Sequence, residues 1–140
     1  MKNSLLALAM SLALLMSTAA AHAQDTQLKV TVPFEFIAGD TVLPAGDYDV
    51  ESTDPWGGKA LSIHNVTSNA RTILLSSSCQ SRKTSERSKL VFYRYGQRYF
   101  LAEVWTANTN IGRKMPFNQR QRELAKNQPM SEMVLMASGK

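Results

Sequence analysis

The stretch LVFYRYGQRYFLAEVW, Leu90 to Trp105, decides the fold. Two runs rich in aromatic and aliphatic side chains, Leu90 to Tyr95 and Arg98 to Trp105, flank Gly96-Gln97. Glycine at the first central position of a two-residue connection suits a type II′ turn, so the stretch reads as a β-hairpin. The tight turn pairs Tyr95 with Arg98 and thereby sets the register. One face then carries Val91, Tyr93, Phe100, Ala102 and Val104, and the other Leu90, Phe92, Tyr99, Leu101, Glu103 and Trp105. Both faces are largely apolar, so the hairpin has to be covered on both sides. A barrel or sandwich with an added covering element does this. The candidate cover is a helix near residues 118–127, with Asn118 as N-cap, Phe117 and Leu124 turned inward, and Arg120, Arg122 and Lys126 towards solvent.

Upstream, Leu28, Val30, Val32, Phe34 and Phe36 alternate with Lys29, Thr31, Pro33 and Glu35, which spells a half-buried strand. Pro33 cannot donate to a ladder, so this strand lies at an edge or carries a bulge. Gly39-Asp40 turns the chain, Leu43-Pro44-Ala45-Gly46-Asp47 forms a second turn, and Tyr48 and Val50 mark the next strand. Asp54 to Gly58 is a loop by composition. Leu61 and Ile63 belong to a short strand, Arg71 to Cys79 to another, and the polar, basic run Gln80 to Ser88 reads as a surface loop. Beyond Pro129, Met130 to Ala137 forms a last strand. The expected fold is mainly β: a small antiparallel barrel or sandwich of about seven or eight short strands with one C-terminal helix.

The amino terminus bears on compartment. Lys2, the uncharged apolar run Leu5 to Met16, and small side chains closing on Ala21-His22-Ala23 form the three parts of a secretory signal cleaved before Gln24. The apolar run falls short of the roughly 20 residues of a membrane-spanning helix, and no later stretch reaches that length. Residues 1–23 therefore read as a cleaved signal peptide and 24–140 as one β-rich domain, exported to the periplasm or beyond. Cys79 is the single cysteine, so no intrachain disulfide forms, and it reads as a small buried hydrophobe. Charge is split along the chain: Gln24 to Val66 holds two Lys/Arg against seven Asp/Glu, and Thr67 to Lys140 holds thirteen against four. Either the two halves face each other or the later half meets an anionic partner. In an exported protein that partner is an envelope component rather than nucleic acid.

Two stretches carry a wider resemblance. Val32-Pro33-Phe34-Glu35-Phe36 leads through Gly39 to Leu43-Pro44-Ala45-Gly46-Asp47-Tyr48. Ser88-Lys89-Leu90-Val91-Phe92 leads through Arg94-Tyr95-Gly96 and Tyr99-Phe100-Leu101 to Glu103-Val104-Trp105 and Gly112-Arg113. Together they resemble a family of small exported bacterial β-rich proteins of no established activity. The resemblance implies a β-rich fold and export, and it carries over no catalytic residue.

Constellations that bear chemistry are sparse. His64 shares the polar side of its strand with Ser62, and with Cys79 alone it makes neither a four-ligand zinc site nor an oriented Cys-His pair. No G-x-S-x-G and no G-x-x-x-x-G-K-[ST] occurs. Asn65-Val66-Thr67 matches a glycosylation sequon by chance. The Arg94-Tyr95 and Arg98-Tyr99-Phe100 interleaving suits nucleic acid, which an exported protein does not meet. Glu103 is set beside Leu90, Phe92, Leu101 and Trp105. It is either one half of a buried ion pair with Arg71, Arg94 or Arg113, or the polar anchor of a ligand pocket. Met130, Met133 and Met136 are candidate soft ligands for Cu(I), although spacing three in a strand alternates faces. No catalytic residue, resident metal or cofactor is expected. The reading is a non-catalytic binding or structural domain. The alternatives are a carrier of a small apolar ligand in an interior pocket and a Met-based copper binder.

Overall fold

A computed structural model describes residues 27–53 and 59–139. The expected signal segment, the expected cleavage site before Gln24 and the expected Asp54 to Gly58 loop lie outside the described residues. The strands are β1 (Gln27–Val32), β2 (Phe36–Ala38), β3 (Thr41–Leu43), β4 (Gly46–Ser52), β5 (Ala60–Asn65), β6 (Arg71–Leu75), β7 (Ser77–Ser85), β8 (Lys89–Tyr95), β9 (Arg98–Trp105) and β10 (Thr109–Lys114). Helix α1 (Gln119–Asn127), β11 (Met130–Met136) and β12 (Ser138–Gly139) complete the order.

The strands form two sheets that do not close into a barrel. One has the order β12-β1-β4-β5-β6; the other runs β11-β8-β9-β10-β7, with β2 parallel to β9 and β3 paired to β2. The fold is therefore sandwich-like with a C-terminal helix, as the sequence led us to expect. There are twelve strands among the described residues rather than seven or eight. The difference comes from breaks. The run Leu28 to Phe36 is not one strand: the ladder stops at Val32, and Phe36 resumes in the other sheet. Pro33, which offers no N–H to a ladder, marks that crossing. Ser76 marks another, between β6 and β7, its backbone N–H and hydroxyl both donating to the Lys59 carbonyl.

The crossing from β3 to β4 explains the Leu-Pro-Ala-Gly-Asp-Tyr stretch. The Tyr48 hydroxyl donates to the Pro44 carbonyl four residues upstream, pinning the corner as tyrosine corners do in other β-sandwiches. Asn65 does similar work after β5. It is buried, and its side-chain oxygen accepts from the N–H groups of Thr67 (2.9 Å) and Ser68 (3.0 Å), closing the turn into β6.

The hairpin of β8 and β9 has the expected turn, with positive φ at Gly96 and not at Gln97. It is also buried on both faces. Leu90, Phe92, Leu101 and Val104 join Phe36, Tyr48, Val50, Leu61 and Ile63 in the core between the sheets. Val91, Tyr93, Tyr95, Phe100, Ala102 and Trp105 form a second cluster on the outer face with Ile37, and Leu124 of α1 packs against it. Asn118 caps the helix as expected: its side-chain oxygen accepts from the Gln121 N–H at 2.7 Å. Arg120, Arg122 and Lys126 are exposed.

The register holds from Tyr95↔Arg98 to Phe92↔Leu101 and then slips, so that Val91 faces Glu103 and Leu90 faces Val104. Ala102 is the extra residue of a β-bulge. Past it every side chain changes face relative to the expectation. Val104 enters the inter-sheet core, and Trp105 and Glu103 leave Phe92 for the outer face.

Two further expectations are corrected. Gln80 to Ser88 is not a loop throughout, because β7 continues to Ser85 as an edge strand. Neither of its faces is fully buried, so no apolar alternation reveals it, and its Arg82 and Lys83 are the charges that edge strands carry. Strand β10, in a segment with no alternating apolar pattern, was not anticipated either.

Candidate functional site: a cleft on the outer face of the seven-stranded sheet

Helix α1 covers only part of the outer face. The remainder opens into a cleft of about 570 Å³ whose floor includes Val91, Trp105, Val134 and Met136. Its far wall is made by β7, and the ladder shows how. Gln80 pairs with Ile111 and Ser85 with Thr109, so residues 81–84 of β7 stand opposite Asn110 alone and bow out of the sheet. The bow and the turn after it bring Lys83, Glu86 and Arg87 to the rim, beside Lys89 and Glu132. No hydrogen bond or ion pair with a described residue holds the side-chain cations of Lys83, Arg87 and Lys89.

Glu103 lies in this cleft because of the bulge. Its ladder neighbours are Val91 on β8 and Lys114 on β10. The indole N–H of Trp105 donates to its Oε2 at 2.8 Å, and the Tyr93 hydroxyl approaches its Oε1 at 3.4 Å. The partners are thus neutral aromatic donors rather than Arg71 or Arg94. Arg71 belongs to the other sheet, and Arg94 donates from Nε to the Gly96 carbonyl at 2.7 Å. Arg113 pairs with Val104 in the ladder, one residue out of step with Glu103. Two donors leave lone pairs on the carboxylate, which has roughly four acceptor positions.

Trp105 is itself held in place. Gly112 lies opposite it on β10, and a Cβ there would stand 2.7 Å from the indole ring, so the absent side chain gives the ring its seat. The same surroundings shape two acids nearby. Burial raises the Tyr93 phenol above its usual value, and the Glu103 charge raises it further. Burial, then Glu103, likewise raise the Cys79 thiol, which favours the protonated, weakly nucleophilic form. Cys79 packs half-buried against the outer cluster, close to the small-hydrophobe role expected of it.

The other candidates are not brought together. His64 sits on the outer side of the five-stranded sheet, between Asp49 and Arg71 in the ladder, in the opposite sheet from Cys79. Met133 faces the inter-sheet core, whereas Met130 and Met136 are exposed. The latter pair is six residues apart on one strand, on the order of 20 Å. Among the described residues no group of three His, Cys, Asp or Glu side chains could hold a metal ion. Nor is any helix among them long and apolar enough to cross a membrane.

Comparison with known proteins adds no relative: no family model, no curated protein and no solved structure matches this chain. Fold and site together define a two-sheet β domain with an external cleft, an aromatic-held carboxylate on its floor and both cations and carboxylates on its rim.

Proposed function

We propose that this chain is an exported, non-catalytic binding domain that holds an amphipathic small ligand in the outer cleft of the seven-stranded sheet. The observation that carries the reading is the cleft itself. Its volume falls within the roughly 300–1,000 Å³ of small-molecule sites, and Val91, Trp105, Val134 and Met136 give it an apolar floor within a rim of charged and hydroxyl side chains. An apolar body would lie on Trp105, Val91 and Val134, and a hydrogen-bond donor on the ligand would reach the open lone pairs of Glu103.

The space between the sheets is taken up by packed side chains. Phe36 meets Tyr48 and Phe92 edge-on at centroid distances of 5.2 and 5.3 Å. Support for a ligand therefore lies on the outside of the sandwich rather than in an interior pocket. The copper reading draws none from the placement of Met130, Met133 and Met136. Export rests on the Lys2 to Ala23 pattern and on the family resemblance. An intact mass of the exported protein beginning at Gln24 is the expected check, and retention of Met1 would overturn it.

Titration with N-phenyl-1-naphthylamine, an uncharged apolar fluorophore with an N–H donor, tests the cleft. We expect saturable enhancement at one site, weakened by Glu103→Gln and lost in Val134→Glu. Val134 is partly exposed on an edge strand, so that substitution should leave the fold intact. Equal binding by the native chain and Val134→Glu, or no binding by either, would refute the reading.

A further inference from the structure

A second concavity lies at the β8–β9 turn end of the seven-stranded sheet, where the chain before β2 and the first turn of α1 meet the start of β9. It encloses about 400 Å³, with Arg98 from the start of β9 and Arg120 from α1 lining it beside Gln97, and Phe34 and Tyr99 among its apolar surfaces. We propose that this cleft is a binding site for an acidic sugar, a pyranose bearing a carboxylate, independent of the first cleft.

Three observations carry the assignment. First, the two arginines come from different elements and converge on one space. Neither guanidinium has a hydrogen bond or ion pair with any described residue. Arg120 also gains nothing for the fold where it stands, since a cation in the first turn of a helix opposes the helix dipole and no acidic residue accompanies it there. A guanidinium fork matches a carboxylate in a planar, two-bond geometry.

Second, the aromatic wall is ordered in advance. Phe34 stacks on Tyr99 with centroids 3.8 Å apart and planes at 15°, and the Arg94 guanidinium lies 5.4 Å from the Tyr99 centroid. Arg94 is fixed in turn by its bond to the Gly96 carbonyl. Tyr99 is thus covered on both faces, and Phe34, half-buried on the cleft wall, is the ring left to meet the C–H face of a sugar, for which a bare inorganic anion has no use. Third, Gln97 and Glu35 also line the cleft and supply donors and acceptors suited to hydroxyl groups. Glu35 is the carboxylate here, against two arginines, so the lining remains net positive.

The test is a calorimetric titration of the full mature chain with a uronic-acid tetrasaccharide at about 0.15 M salt, where unspecific surface attraction is largely screened. The neutral parent tetrasaccharide and inorganic phosphate serve as the other probes. We expect the uronate to bind about tenfold or more tightly than either. Arg98→Gln and Arg120→Gln should each weaken it by about tenfold, and Arg98→Lys should recover only part of the loss. Phe34→Ala should weaken the uronate but leave phosphate unchanged. Lys83→Gln with Arg87→Gln, in the first cleft, should leave uronate binding within about twofold, the effect of a distant charge under screening. Arg98 and Arg120 are exposed, so their variants should keep the native circular dichroism. Absence of uronate binding, equal affinity for the neutral sugar, or equal loss in the first-cleft variant would each overturn the proposal. Phosphate binding at least as tightly as the uronate, with the same arginine dependence, would also overturn it in favour of a plain anion site.

Discussion

Glu103 meets Trp105 and Tyr93 on the outer face of the seven-stranded sheet because one inserted residue turns it there. Its neighbours follow from a register that Ala102 shifts by one position, and nothing in Leu101-Ala102-Glu103 announces a bulge. The aromatic donors Trp105 and Tyr93 therefore replace the arginines that charge alone suggests. Tyr48 is the reverse case: Leu43 to Tyr48 reads as a turn and a strand, and the structure adds the hydroxyl bond that locks them. The two buried phenols, Tyr48 and Tyr93, also set a pH response. Burial is the larger cause of the raised value in both. A group whose folded value lies above its unfolded one contributes stability that is whole below the unfolded pKa, about 10 for tyrosine, and is lost as pH climbs through the folded value. We expect urea midpoints to fall above about pH 10 for this reason. In the same range the folded chain should ionise fewer of its four tyrosines than the unfolded chain, read at 295 nm. Superimposable titrations of folded and unfolded protein would contradict this.

At the scale of elements, those with a buried face were legible and those without one were not. Strand β1, the β8–β9 hairpin and capped α1 all carry an apolar period that matches their geometry. Strand β7 has no such period because it is an edge, and its bow over the first cleft depends on a pairing that local sequence does not encode. The bulge in β9 has a structural reason in the sheet. One side of β9 is lined by β8, while the other is shared between β2, which meets Phe100, and β10, which begins at Glu103. Ala102 stands between the two partners. Deleting Ala102 should remove the bulge and still leave Val91 opposite Glu103 and Leu90 opposite Val104, so Glu103 keeps its donors on the outer face. Urea denaturation of the deletion variant should therefore show a loss well short of the roughly 3 kcal/mol or more that burying the carboxylate away from them would cost. A loss of that size would mean that the register beyond Ala102 does not set the face of Glu103.

Across the whole molecule, the charge split of the sequence acquires a direction. Asp47, Asp49 and Glu51 alternate with buried Tyr48 and Val50, so they line the outer side of the five-stranded sheet. Lys83, Arg87 and Lys89 line the first cleft together with Glu86, Glu103 and Glu132, three cations against three carboxylates, whereas Arg98 and Arg120 meet one carboxylate, Glu35, in the second. The net positive lining is thus confined to the second cleft, on the other side of the core from the acidic row of β4. The first cleft exists because the seven-stranded sheet is buried on its inner face and only partly covered on its outer one. The paired substitutions Phe92→Ala and Phe100→Ala test that arrangement most directly, since Phe92 is 0% exposed in the inter-sheet core and Phe100 2% exposed in the outer cluster. Denaturant melts should show each losing about 3–5 kcal/mol, the range for a large buried aromatic. A costly Phe92→Ala beside a neutral Phe100→Ala would mean that the outer face is solvated, and would contradict the two-layer account.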